Sequence, residues 1–167
     1  DKHWSRGLGD VYKRQDESPI ECHIDLELDV PASEAWHVLG EKFGDVDDIA
    51  SGVQKSTMSG EVDVGAVRTC EIAEFGPFSS TKVTEELIEF RPGEMKFAYV
   101  AGGGLPAMIP TSTNRWSIEA LDEGRCRVRS HATIELKWWA LPFAKLLGWS
   151  IRSETVSYTH LTLPTTS

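Results

Sequence analysis

Long apolar runs are missing from this chain. No stretch reaches the length needed to span a bilayer, and the first residues are polar, without the apolar core of a secretory leader. Cysteine is scarce: Cys22, Cys70 and Cys126 are odd in number and widely spaced. That argues against a disulfide framework and leads us to expect reduced thiols in a cytoplasmic setting. Basic residues are few, 17 Lys and Arg against 26 Asp and Glu, for a formal net charge of −9. A nucleic-acid partner is not expected, because phosphate binding needs a basic face. The chain also lacks a Cys-x-x-Cys pair, a Walker loop and a His-Glu-x-x-His helix. No cofactor and no metal are expected.

What is present suits one domain with a sizeable core, in 167 residues. The ends form an unexpected pair. Asp10-Val11-Tyr12-Lys13-Arg14-Gln15 back-translates to GATGTGTATAAGAGACAG. The reverse complement of that word, read from its third base, gives Val156-Ser157-Tyr158-Thr159-His160. The word looks like the mosaic end of a transposase-based sequencing adapter. Residues 1–15 and 155–167 are therefore expected to be adapter-derived tails of a metagenomic fragment, and residues 16–154 to be the domain. Asp16–Glu154 holds 13 basic and 24 acidic residues, so its net charge is −11.

Hydrophobic periodicity orders the rest. Ile20 to Val30 alternates, with Ile20, Cys22, Ile24, Leu26 and Leu28 on one face and Glu21, His23, Asp25 and Glu27 on the other: a half-buried strand. Pro31 to Phe43 predicts a short helix with Ala35, Trp36, Leu39 and Phe43 along one side, and Asp45 to Ala50 another helical turn. From Val53 the period becomes two. Strands are predicted over Val53–Ser59, Ala66–Phe75, Ser80–Phe90, Met95–Val100, Thr111–Ala120 and Arg125–Lys137, the last two as a hairpin about Leu121–Gly124. The inner face of Ser80–Phe90 is left open, because Val83 with Leu87 and Ile88 with Phe90 point to opposite choices. Gly102-Gly103-Gly104 predicts a loop at a pocket mouth, with Leu105, Ala107, Met108 and Ile109 as an apolar lid, rather than a phosphate cradle. Pro142 opens a longer helix to Ser153, with Phe143, Leu146, Leu147 and Ile151 on one stripe.

The words DVPASEAWHVLGEKFGDVDDI, SGEVDVGAVRTCEI, VTEELIEFRPGEMKFAYV, GGGLPAMIP and NRWSIEALDEGRCRVRSHATIE, in this order, resemble the helix-grip fold of the START/birch-pollen-allergen superfamily. More narrowly they resemble the SRPBCC, or polyketide cyclase/dehydrase-like, proteins. The resemblance rests on Pro31 with Trp36, on Gly65-Ala66-Val67-Arg68, on Glu85 or Glu86, and on Phe97 and Tyr99. It implies an α+β fold: a curved antiparallel sheet of about seven strands, two short helices after the first strand, and a C-terminal helix that is expected to be truncated. It further implies a cavity between sheet and last helix.

Four polar residues are the catalytic candidates. Glu85, turned into an apolar cavity, would move protons on a carbonyl substrate. Arg68 would hold a carboxylate or enolate by a bidentate contact, and Tyr99 and Asn114 would donate to a carbonyl oxygen. The plainer alternative has Glu85 and Glu86 facing solvent or pairing with neighbouring strand cations. Ligand-binding candidates are Trp36, Phe97, Tyr99, Met108, Trp116, Ser130, Ala132, Phe143, Leu146 and Leu147, each of which also suits plain core packing. His23 and His131 fall on outward strand faces and His37 on the first helix, and a metal site would need them to converge. Trp138 and Trp139 either anchor the last helix or touch a surface. The expected function is binding of a small hydrophobic molecule: a lipid, a polyketide-like compound or an isoprenoid. The alternatives are a cofactor-free cyclase/dehydratase-type enzyme and a protein-interaction module.

Overall fold

The structure is a computed structural model, and it describes residues 19–74, 80–137 and 139–140. Both expected tails lie outside these residues. So do Trp138 and the predicted helix from Pro142, with Phe143, Leu146 and Leu147 on it.

Seven antiparallel strands make one sheet: β1 (Ile20–Leu28), β2 (Val53–Met58), β3 (Val67–Ile72), β4 (Thr81–Arg91), β5 (Lys96–Gly103), β6 (Ser112–Ala120) and β7 (Cys126–Ile134). Their spatial order is β1-β7-β6-β5-β4-β3-β2, so the first two strands form opposite edges. The helical segment between them must therefore cross the whole sheet. Charges on one face and aliphatic groups on the other give β1 its strict alternation of exposure, as its sequence predicts.

The crossing segment is less regular than the predicted helix. Pro31 caps α1 (Ala32–Trp36), which passes into a π-helical turn (His37–Glu41) and then a 3-10 helix (Phe43–Asp48). Gly40 explains the widened turn. A Cβ there would meet the Trp36 ring at 2.6 Å, so the turn packs directly onto the indole. Trp36 and Phe43, 4% and 1% exposed, then plug the inner face of the sheet. Trp36 stacks on Phe90 at 5.5 Å and meets Phe97 edge-on at 6.0 Å, and Phe43 meets Phe97 and Tyr99 at 6.1 and 5.6 Å. Such aromatic pairs contribute about 0.5–1.5 kcal/mol each beyond the area they bury.

Two irregularities change the sequence reading. In β4, Leu87 pairs with Tyr99 and Glu89 with Ala98, so Ile88 is an extra residue. That bulge resets the alternation. Val83, Glu85 and Leu87 face inward before it and Phe90 after it, while Ile88 is exposed. In β5, Thr84 pairs with Gly103 and Glu85 with Ala101, so Gly102 is the extra residue. The glycines predicted to be a loop thus extend the strand. Gly103 donates its N–H to the Thr84 hydroxyl, and Gly104, at φ +79°, lies so close to the Lys82 carbonyl that a Cβ has no room.

Candidate ligand cavity

Between the crossing helices and the inner face of the sheet lies a cavity of about 470 Å³, within the range of small-molecule sites. Its walls are mostly aliphatic and aromatic: Leu26 and Leu28 from β1, Leu39 and Ile49 from the crossing segment, Phe97 and Trp116 from β5 and β6. One polar cluster interrupts them. The register sets Arg68 directly opposite Glu85 on β3 and β4, and Tyr99 opposite Asn114 on β5 and β6. All four line the cavity.

Arg68 is 5% exposed, and its charge is met on three sides. Nε donates to Glu85 Oε2 at 2.5 Å, Nη1 donates to the Phe43 carbonyl at 2.5 Å, and the guanidinium lies 3.8 Å above the Phe43 ring. It also lies 4.9 Å from the centre of the Tyr99 ring. The paired alternative for Glu85 is the one seen, while Glu86 faces solvent. Arg68 is accordingly engaged by the protein itself rather than presented as an unpaired fork. Cys70 adds its thiol 3.7 Å from Glu85 Oε2. Burial, then the Glu85 charge, pushes that thiol up from its ordinary value, with Arg68 and Ser56 opposing.

The second pair has a defined hydrogen-bond direction. Ser130 donates to Asn114 Oδ1 at 2.7 Å, and Asn114 Nδ2 donates to the Tyr99 hydroxyl oxygen at 3.2 Å. An amide N–H can only donate, so Tyr99 accepts there and its own hydrogen remains for another acceptor. The buried Trp116 indole N–H also approaches the Tyr99 oxygen and weakly favours its charged form, short of a formed hydrogen bond. Burial, and secondarily the Glu85 charge, pushes the Tyr99 phenol up to about 12, against Arg68, Asn114 and Trp116. At neutral pH Tyr99 is thus a protonated donor and not a base.

The ligand-lining candidates divide. Phe97, Tyr99 and Trp116 line the cavity. Trp36 packs in the core instead, filled in around by Phe90 and Phe97. Ser130 acts through Asn114. Ala132 stands opposite Cys22 and Asn114 without lining the cavity. Met108 is tied by its carbonyl to the Lys137 N–H and likewise lies off the cavity. Leu26, Leu28 and Val128 line it although not singled out from sequence; their inward alternation was the available signal. The Phe43 carbonyl had no sequence signal at all. On the convex face, His23 and His131 come together with Glu21, while His37 bonds to Glu41 on the exposed side of the crossing segment.

A curved seven-stranded antiparallel sheet with short helices crossing a cavity on its inner face defines a helix-grip protein of the birch-pollen-allergen type. The chain belongs to the polyketide cyclase/dehydrase and lipid transport family, whose model matches residues 21–157. Solved structures of similar fold include norcoclaurine synthase from Thalictrum flavum in complex with dopamine and hydroxybenzaldehyde, at 15% identity and a TM-score of 0.65 over 99% of both chains. An uncharacterised protein from Bacillus thuringiensis has 14% identity and a TM-score of 0.65 over 83% of this chain and 95% of its own. Ara h 8.0201 has 13% identity and a TM-score of 0.60 over 83% of this chain and 99% of its own. At such identities the likeness concerns the fold. No curated protein matches the chain. Among the described residues, no helix is long and apolar enough to cross a membrane.

Proposed function

We propose that the chain binds a small, mainly apolar molecule that carries one hydrogen-bond-accepting oxygen, such as a carbonyl. The observation that carries this reading is the Tyr99 hydroxyl. It lines a mainly apolar cavity beside the Arg68–Glu85 pair, receives a hydrogen bond from Asn114 and has its own hydrogen to give. An apolar ligand body would bury against Leu26, Leu28 and Ile49, at about 25 cal/mol per Å² removed from water. The acceptor oxygen would fix its orientation. Lipids, isoprenoids and aromatic polyketide-like compounds with a keto or ester oxygen all satisfy this description.

The test is native mass spectrometry of the full chain against lipid and aromatic libraries, followed by titration of a retained compound. Ala50→Trp, at the cavity wall, should abolish retention. Tyr99→Phe should weaken a ketone ligand about tenfold and leave its deoxy analogue unchanged. Equal retention by the Ala50→Trp chain would sink the proposal.

A second reading, cofactor-free chemistry at a carbonyl, draws support from the gathering of Glu85, Arg68, Tyr99 and Asn114 in one cavity. Tyr99 would donate to the developing oxyanion and Glu85, held by Arg68, would accept a proton. Turnover that disappears in Glu85→Gln while ligand binding persists would support it. Binding without turnover across carbonyl substrates leaves the binding reading alone.

A further inference from the structure

The convex face of the sheet, opposite the cavity, carries a group that the cavity does not explain. His23 of β1 and His131 of β7 are directly opposite in the register, and their rings stack with centroids 4.2 Å apart. Glu21, two residues before His23, projects from the same face. Its Oε2 is 3.8 Å from His23 Nε2 and 3.9 Å from His131 Nε2. One ligand atom from each residue lies within 4.8 Å of the others. The Nε2 atom of His131 is buried and has no hydrogen-bond partner, an uncommon condition for a ring nitrogen.

We propose that Glu21, His23 and His131 form a binding site for a divalent transition-metal cation of the zinc type. A point equidistant from the three atoms lies at most about 2.5 Å from each, within a few tenths of an ångström of Zn–N and Zn–O bond lengths of about 2.0–2.2 Å. The two rings are stacked nearly parallel, so metal binding requires the exposed His23 to turn out of the stack and aim its in-plane Nε2 lone pair at the shared point, with Glu21, also exposed, following. Two imidazoles and one carboxylate suit zinc, nickel or copper and not magnesium or calcium, which prefer oxygen-only shells. The electrostatics agree. Two cations flank the group on this face: Arg115, directly opposite His131, is ion-paired to Glu89 at 3.6 Å, and Arg129 is held by Asp25 and Glu119, while the chain's net charge of −9 draws cations. A bound metal would clip the edge strand β1 to β7.

His23 also borders the cavity, and the test keeps the two sites apart through His131, which does not. Untagged full chain is titrated with ZnCl₂ in a calorimeter. One zinc per chain is expected, with affinity reduced at least about tenfold by His23→Ala and by His131→Ala, and less by Glu21→Gln. Zinc at about one hundred times its Kd should raise the Tm by about 5–10 °C. The rise should be lost in the double histidine variant and in His131→Ala; since His131 does not line the cavity, the His131→Ala chain should retain the cavity ligand unchanged. Nitrogen-15 spectra of the unmodified protein give a readout free of variants: zinc should shift the Nε2 resonances of two of its five histidines. No zinc uptake, equal heat with MgCl₂, or wild-type affinity in the double variant would each overturn the proposal.

Discussion

Replacing Arg68 by Met removes one half of a buried ion pair and leaves the other in place. The side chains of Arg68 and Glu85 are 6% and 14% exposed, so little solvent screens them. Deleting one partner of such a pair costs about 3–5 kcal/mol, because the surviving charge is stranded. The lost bond to the Phe43 carbonyl falls within that range, since its acceptor is buried with it. Glu85→Gln should cost less, about 1–3 kcal/mol, because Arg68 keeps the Phe43 carbonyl and the ring face, and a Gln oxygen still accepts from Nε. The double replacement Arg68→Met/Glu85→Leu should recover most of the loss, as buried pairs exchanged for apolar groups of similar volume are often neutral or stabilising. Urea unfolding at pH 7 with an unchanged m-value measures all three, and the single Glu85→Leu variant closes a cycle with Arg68→Met and the double that should return a coupling of about 2 kcal/mol or more. An Arg68→Met cost below about 1 kcal/mol with no coupling would refute the claim that the pair is dry. A stable double variant that loses ligand orientation would mean that the pair is kept for the cavity and not for folding.

Gly40→Ala should lower stability by about 1–3 kcal/mol, since the Trp36 ring it strikes is itself held by Phe90 and Phe97; thermal unfolding checks this. Gly104→Ala should cost more, combining a positive φ with a backbone clash, and an unchanged Tm would contradict the β4–β5 geometry. Tyr99 has a folded pKa above its unfolded value of 10.0, so its contribution is fully present below about pH 10 and is lost as pH rises to about 12. The Tyr99→Phe chain should therefore lose less stability than wild type over that window, by up to about 2–3 kcal/mol, and should lack the latest phenolate absorbance at 295 nm. Glu85→Gln removes a charge that holds the Cys70 thiol up, so alkylation of Cys70 at pH 8 should quicken.

The sequence reading succeeded where one face of a strand meets water. The acidic face of β1 and the arginines of β7 fixed which side turns inward, and the two strands pair over their whole length. It stalled at β4, because a bulge at Ile88 lets Leu87 and Phe90 both face the core, and alternation assumes no extra residue. It read Gly102 and Gly103 as a loop because glycine in a strand has no side chain to mark a face; here the glycines admit Thr84. Arg68, Glu85, Tyr99 and Asn114 were recognisable by type. Their pairing, and that of His23 with His131, depends on cross-strand register, which a single sequence does not carry.

The order of strands has a consequence for how the chain is made. Among the described residues β1 pairs only with β7, and Ile20 sits against Ile134. Ribosomal synthesis at about 5–20 residues per second delivers that partner roughly 5–20 seconds later. During that interval the inward row of β1, Ile24, Leu26 and Leu28 among it, has no ladder to join. The outward row of carboxylates, Glu21, Asp25 and Glu27, then repels other nascent copies until Arg127 and Arg129 emerge to neutralise it. The same charges that anchor the finished edge protect it while it waits.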